Sequence, residues 1–253
     1  MSTAFDLEGR VAVVTGAGGG LGRGICSALA TGSAAVACID LDPEKVARSA
    51  AALTLAGGRA FGLVADVSRR ASVQAAIQRV AAEFGRIDIL VNNAAIYPSR
   101  PWTEIDEAEW DRVLAVNLKG YFLCASATFP YLRQSSHGRI INVSSDTYFL
   151  GFPNLLHYVS SKGGIIGLTR GLAREVGPSG ITVNAVSPGA FPTDAEKIHP
   201  DPERYNQWVL EQQMLKRRGI PEDVGNLVAF LASDAASFIT GQTIVIDGGW
   251  VLH

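Results

Sequence analysis

Tyr158 and Lys162 stand four residues apart in LLHYVSSKGG (155–164), one turn of the helix that this stretch predicts. A phenol with an ordinary pKa near 10 acts as a base at neutral pH only if its anion is stabilised; lowering it to near 7 takes about 4 kcal/mol. An ammonium about 4 to 5 Å away contributes about 3 to 4 kcal/mol at an effective dielectric near 20. The pair is therefore sufficient for proton transfer, although Y-x-x-x-K also occurs on solvated helix faces. Thirteen residues upstream, beyond the apolar run RIINV, Ser145 carries a hydroxyl able to reach a substrate oxygen. Asn117, the polar residue of LAVNLKGYFLC, is expected to disturb a helix and hold a water behind the lysine, or to cap a kink. His157 points about 100° away from Tyr158 on a helix and reads as pocket wall or surface.

These groups need a scaffold, and the apolar pattern describes one. Seven short runs rich in Val and Ile read as strands: 10–14, 34–39, 60–64, 87–91, 139–143, 181–186 and 243–246. They lack polar alternation, as expected of strands buried on both faces, and amphipathic segments such as RASVQAAIQRVAAEF separate them. The alternation predicts a parallel sheet with helices on both faces, and no linker or repeat divides residues 1–253, which read as one domain. The least regular stretch, within 188–216, is expected to form a segment beside the ligand.

Between the first strand and a helix starting near Leu21 lies TGAGGGLGRG (15–24). A strict G-x-G-x-x-G is absent; Gly16, Gly20 and Gly22 follow T-G-x-x-x-G-x-G, with Gly18 between them. Positions without side chains let backbone N–H groups and a helix N-terminus approach a pyrophosphate. The second strand ends at Asp40, whose carboxylate would accept from ribose hydroxyls and repel a 2′-phosphate, favouring NAD over NADP. Asp42, before Pro43, is the better cap for the helix that follows.

The ordered set TGAGGGLG, Asp40, ADV with Asp66, NNAA (92–95), Asn117, Ser145, YVSSK, SPGAFPT and DGGW resembles the short-chain dehydrogenase/reductase family over essentially the whole chain. The resemblance implies a doubly wound Rossmann fold with seven parallel strands, a nicotinamide cofactor, and an Asn117, Ser145, Tyr158, Lys162 tetrad. It also implies cofactor contacts at Gly16, Gly18, Gly20, Leu21, Gly22, Asp40, Leu41, Asp66, Val67, Asn93, Ala94, Pro188, Gly189, Phe191 and Thr193, besides Tyr158 and Lys162. Asn92 is expected to support the central strand or the cofactor loop. Two departures are visible, Ala95 where a glycine is frequent and Phe191 where a smaller aliphatic residue is frequent; both bear on the width near the nicotinamide.

Aromatic segments with few charges predict an uncharged ring as substrate, lined by Tyr97, Thr147, Tyr148 and Phe191 around Ser145. They resemble the aryl-alcohol branch of the family, of the 1-phenylethanol and pyridoxal 4-dehydrogenase types. Reduction of 3-oxoacyl thioesters is the rival activity, and an NAD-binding regulator without turnover is the rival outside catalysis. The small-molecule alcohol or ketone is the expected partner. A net charge of −2 gives no basic field for nucleic acid, and no apolar run is long enough for a membrane span. Cys26, Cys38 and Cys124 fit free buried thiols in a reducing cytoplasm, and no metal site is indicated. Gly163, Gly167 and Gly171 form one bare face of the Tyr158 helix; this predicts close packing against another helix, in the family commonly a homotetramer interface. The terminal WVLH is expected near a partner subunit's pocket.

Overall fold

The computed structural model describes residues 5–193, 196 and 200–252. Residues 194, 195 and 197–199 of the expected substrate segment, and His253 of the terminal WVLH, lie outside the described residues. Seven strands form one sheet: β1 (Val11–Thr15), β2 (Ala35–Asp40), β3 (Ala60–Val64), β4 (Ile89–Asn92), β5 (Arg139–Val143), β6 (Thr182–Pro188) and β7 (Thr243–Ile246). All neighbours are parallel, in the order β3-β2-β1-β4-β5-β6-β7. Each strand falls on one of the seven apolar runs. Boundaries move slightly: Arg10 precedes β1, and Ile87 and Asp88 precede β4.

The connecting segments include α1 (Gly20–Thr31), α2 (Pro43–Leu55), α3 (Arg70–Phe84), α4 (Glu107–Leu114), α5 (Gly120–Leu132), α6 (Thr147–Leu150), α7 (Leu156–Val176), α8 (Pro202–Gln212) and α9 (Pro221–Ala232). Successive β1 side chains alternate between two cores. Ala12 and Val14 pack with Ile25 and Leu29 of α1 and Val224 and Val228 of α9. Val11 and Val13 pack with Ile77 of α3, Leu123 of α5 and Val176 of α7. Burial on both faces is why the strands read as continuous apolar runs. Asp42 caps α2 as expected, accepting from the backbone N–H groups of Glu44 and Lys45 at 3.0 Å.

This is the doubly wound Rossmann architecture. The strand order reverses between β1 and β4, so the loops leaving these two strands diverge and open a crevice at their C-terminal ends. The segments carrying Asp40, Asn93, Ser145 and Thr193 converge on that crevice.

The bare face of α7 is only partly as expected. A Cβ at Gly163 would meet the Tyr148 ring of the same chain at 2.8 Å, so that position is filled from within. Gly167 and Gly171 face open space. Cys26, Cys38 and Cys124 are free and buried. Among the described residues no helix is long and apolar enough to cross a membrane, and no three His, Cys, Asp or Glu side chains cluster as a metal site.

Candidate active site

The nucleotide end is built by the turn after β1. Gly16 has φ +65°, a conformation that side-chain-bearing residues rarely adopt. Gly22, one turn into α1, lies so close beneath it that a Cβ would come within 2.1 Å of the Gly16 carbonyl oxygen. The β4 loop ties this turn down. Asn93 Nδ2 donates to the carbonyls of Thr15 and Gly16 at 3.0 and 3.1 Å, and Thr15 Oγ1 accepts from the N–H groups of Asn93 and Ala94. The α1 N-cap, Gly19, offers no side-chain acceptor, so the first-turn N–H groups remain available where Gly19, Gly20 and Leu21 line the crevice. Open N–H groups at a helix N-terminus suit a phosphate, so the loop fits a dinucleotide. Asp40 has a task beyond the expected one: its Oδ2 accepts from Gly18 N at 2.8 Å and fastens the glycine loop to β2.

From this loop a cavity of about 350 Å³ runs to Trp250. Ser145, Tyr158 and Lys162 all line it, brought together by β5, α7 and the turn between them. Ser145 Oγ accepts from Thr147 Oγ1 at 2.9 Å and Thr147 N at 3.2 Å. Tyr158 is packed edge-on to Tyr97, ring centres 4.5 Å apart. Lys162 Nζ donates to the Val143 carbonyl at 2.8 Å and lies 5.3 Å from the centre of the Tyr158 ring.

Asn117 sits in a π-helical turn, Ala115–Lys119, between α4 and α5. The expected irregularity in an apolar helix is present, and such turns recur at functional sites. Its Oδ1 accepts from Ile96 N at 2.9 Å; its Nδ2 donates to Ile96 O at 3.0 Å and Ser161 Oγ at 3.2 Å. Both amide protons are thus committed to protein, and one lone pair on Oδ1 remains. Asn92 supports the central strands, donating to Asn142 Oδ1 at 2.9 Å directly across the β4–β5 register.

The electrostatics depart from the simple pair picture. Burial pushes the Tyr158 hydroxyl above its ordinary pKa, Tyr97 adds to this, and the hydrogen bond with Ser145 works in the opposite direction. Burial also pulls Lys162 down to about 7. The expected lowering of the tyrosine therefore does not emerge from the pair alone. Desolvation penalises the charged form of both partners, and the ammonium addresses the ring face rather than being free for the hydroxyl. His157 is likewise corrected: it is fully buried, accepting from Tyr158 N through Nδ1 and pairing with Glu109 through Nε2 at 3.2 Å, so it is neither pocket wall nor surface.

Of the other expected contacts, Gly16, Gly20, Leu21, Asp40, Asn93, Ala94, Tyr97, Thr147, Pro188, Gly189, Phe191 and Thr193 line the cavity. Gly18, Gly22, Leu41, Asp66, Val67, Asn117 and Tyr148 do not. Leu41 is exposed beyond β2, and Asp66 turns its Oδ1 to Ser68. Val67 packs against Gly120, and Tyr148 leans on Phe149 and Gly163 outside the cavity. Phe191 lays its ring over Gly219, where a Cβ would come within 2.4 Å of it, so its bulk is taken up by the core.

The lining also holds Asp146 and Phe152 of the aromatic segment DTYFLGFPNLLH (146–157), which the sequence offers as candidate pocket wall, and Glu196, Tyr205 and Trp250, which it does not. Two carboxylates in the wall correct the expectation of a nearly charge-free pocket. Trp250 lines the cavity of its own chain. The sequence signals for these residues were the aromatic segment after Ser145 and the tryptophan of DGGW.

Residues 16–251 match the family model described as Enoyl-(Acyl carrier protein) reductase, the C2 short-chain alcohol dehydrogenase model. The chain is 39% identical to (2S)-[(R)-hydroxy(phenyl)methyl]succinyl-CoA dehydrogenase subunit BbsD of Thauera aromatica, covering 97% of this chain and 98% of that one. It is 37% identical to the 3-oxoacyl-[acyl-carrier-protein] reductase FabG of Thermotoga maritima, covering 97% and 99%. A crystal structure of a dehydrogenase/reductase from Sinorhizobium meliloti superposes with a TM-score of 0.92 at 36% identity, covering 99% and 98%.

Proposed function

The chain belongs to the short-chain dehydrogenase/reductase family, a family of oxidoreductases that generally use NAD(P), and from that premise we propose that it interconverts a secondary alcohol and its ketone with NAD, on an aromatic or cyclic substrate. The observation that carries this reading is a single cavity shared by Ser145, Tyr158 and Lys162 at one end of the nucleotide crevice and by Asp40 with the open α1 N-terminus at the other.

In this reading Gly19, Gly20 and Leu21 would present N–H groups to the pyrophosphate and Asp40 would accept from the adenosine ribose, while Thr193, against Gly20, would help hold the nicotinamide half. The bound nicotinamide supplies the hydride acceptor for oxidation and the hydride donor for reduction. Ser145 would hold the carbinol oxygen and Tyr158 would take its proton in oxidation and return it in reduction. Lys162, when protonated, would favour the phenolate and could donate to the nicotinamide ribose, while Asn117 fixes Ile96 and thereby the loop bearing Tyr97. The likeness to BbsD, named for a phenyl-bearing alcohol, supports an aromatic substrate. The residues act within one domain of a cytoplasmic homotetramer, the open face at Gly167 and Gly171 being available to a second copy.

Turnover of a panel of secondary alcohols and ketones with NAD and NADP in parallel tests the reading. NAD-linked oxidation of aryl alcohols supports it. NADP preference with 3-oxoacyl thioesters would favour the rival reductase, and absence of turnover would favour a regulator.

A further inference from the structure

His157 stands directly before the base, and the mechanism leaves it without a role. The first-turn N–H groups of α7 have no carbonyl partner within the helix, and the N-cap, Leu155, brings no side-chain acceptor. His157 meets one of them: its Nδ1 accepts from Tyr158 N at 3.0 Å. A ring nitrogen that accepts carries no proton, so the proton of this imidazole sits on Nε2 and is donated to Glu109 Oε1 of α4 at 3.2 Å. The same oxygen accepts from Arg100 Nε at 3.0 Å, and that bond holds the Glu109 carboxyl below its ordinary pKa, so it stays an acceptor. His157 is fully buried and lies outside the cavity lining, so it does not touch substrate.

The carbonyl of the base is held as well as its N–H. Tyr158 O accepts from Ser161 Oγ at 2.6 Å, and Ser161 Oγ accepts from Asn117 Nδ2 at 3.2 Å. Glu109 of α4 and Asn117 of the π-helical turn after it thus grip both ends of the Tyr158 main chain, each through one intermediary side chain. Arg100 extends the grip to the ring. It follows Tyr97, whose ring packs edge-on to Tyr158, by three residues, and its own N–H donates to Asn154 O at 2.8 Å just before α7. A helix end is the part of a helix most given to fraying, and a fully satisfied buried polar network is what rigidifies it. The setting matters, because a misplacement of about 1 Å at a reacting group costs about 100-fold in rate.

We propose that His157, anchored by Glu109, is a positioning residue for Tyr158: it fixes the first turn of α7 so that the phenol stays within reach of Ser145 and the substrate oxygen. This deepens the alcohol reading above and rests on it for the role of Tyr158 as base. The histidine acts through the backbone of its neighbour and takes no proton from substrate.

The test compares His157→Leu, which removes both ring nitrogens at nearly equal volume, with His157→Asn, whose Oδ1 can stand where Nδ1 does and accept from Tyr158 N. Three quantities are measured: the single-turnover rate of NADH formation from 1-phenylethanol, the affinity and stoichiometry of NADH binding, and exchange of the Tyr158 amide proton by NMR. In His157→Leu, NADH is expected to form about 10- to 100-fold more slowly, with NADH affinity and stoichiometry unchanged. The Tyr158 amide proton is expected to exchange about tenfold faster. His157→Asn is expected to recover most of the rate and of the protection. Glu109→Leu, which leaves His157 in place without its anchor, carries the same prediction if His157→Leu does not fold. A wild-type rate in His157→Leu overturns the inference. So does a loss of rate matched by a loss of NADH sites, which marks a merely structural residue, or an asparagine variant as slow as the leucine one. Oxidation of 1-phenylethanol by the wild type, with rate and exchange unchanged in His157→Leu, sinks this inference and leaves the alcohol reading standing. If the wild type does not oxidise 1-phenylethanol, the alcohol reading falls and the amide exchange decides: faster in His157→Leu and restored in His157→Asn supports the positioning role, and unchanged exchange overturns it.

Discussion

Replacing Lys162 with methionine isolates the electrostatic part of the mechanism. Lys162 is 1% exposed, and its Nζ lies 5.3 Å from the centre of the Tyr158 ring. At an effective dielectric near 20, a unit charge about 5 Å from a phenolate is worth about 3 kcal/mol, or about 100-fold in the fraction of phenolate. The phenolate is the charged form, so removing the ammonium raises the tyrosine pKa further and lowers the rate at fixed pH. The effect is itself pH-dependent, because burial has brought Lys162 down to about 7. Its charge is nearly complete at pH 6, half present near pH 7 and largely gone by pH 8.5. Initial rates of alcohol oxidation at saturating NAD+ from pH 5.5 to 9 are therefore expected to show a deficit of about 100-fold in Lys162→Met at pH 6, narrowing as the pH rises. A deficit of constant size across that range would mean that the lysine acts only by packing or by holding the ribose. An absent deficit would refute the role altogether.

Asp146 gives a stability prediction with the opposite sense to an ordinary salt-bridged acid. Its folded pKa, about 7, lies above its ordinary value of 3.8, so the folded state binds the extra proton between these limits. Stability from this group is full below about pH 4 and lost as pH rises through about 7, a change on the order of a few kcal/mol. Urea melts at pH 5 and pH 8 are expected to show the wild type losing more stability between the two than Asp146→Asn; equal losses would place the burden elsewhere. Gly22→Ala puts a methyl group 2.1 Å from the Gly16 carbonyl oxygen. The backbone must shift, at a cost of about 1–3 kcal/mol or more, and NADH binding followed by fluorescence is expected to weaken by at least tenfold; unchanged affinity would show that the loop is not the cofactor's seat.

The sheet was legible because both of its faces are buried, so each strand shows up as an apolar run bounded by turn residues, and the β1–Gly16–α1 junction follows from glycine spacing. Tyr158, Lys162 and Ser145 were legible through local spacing joined to a strand end. What was not legible depends on distant segments meeting. Trp250 follows β7 and Phe152 precedes α7, with nothing in either neighbourhood to say that they close the same cavity. The burial of Asp146 is silent in sequence because an acid beside a serine is ordinary; only the structure marks it, with Oδ2 buried and unpartnered. A glycine face signals close approach but not from which side, and at Gly163 it comes from Tyr148 of α6 in the same chain. Spacing alone implies a charged lysine beside the tyrosine, and it is the depth of burial, invisible in spacing, that changes the balance.

The most direct test of the central claim uses 1-phenylethanol deuterated at the carbinol carbon, with NAD+, in the wild type and in Tyr158→Phe. The expected product is NADH that carries the deuterium at the nicotinamide ring, and Tyr158→Phe is expected to lower the rate at least a hundredfold with cofactor affinity retained. Unlabelled NADH, or a Tyr158→Phe rate equal to that of the wild type, would contradict it.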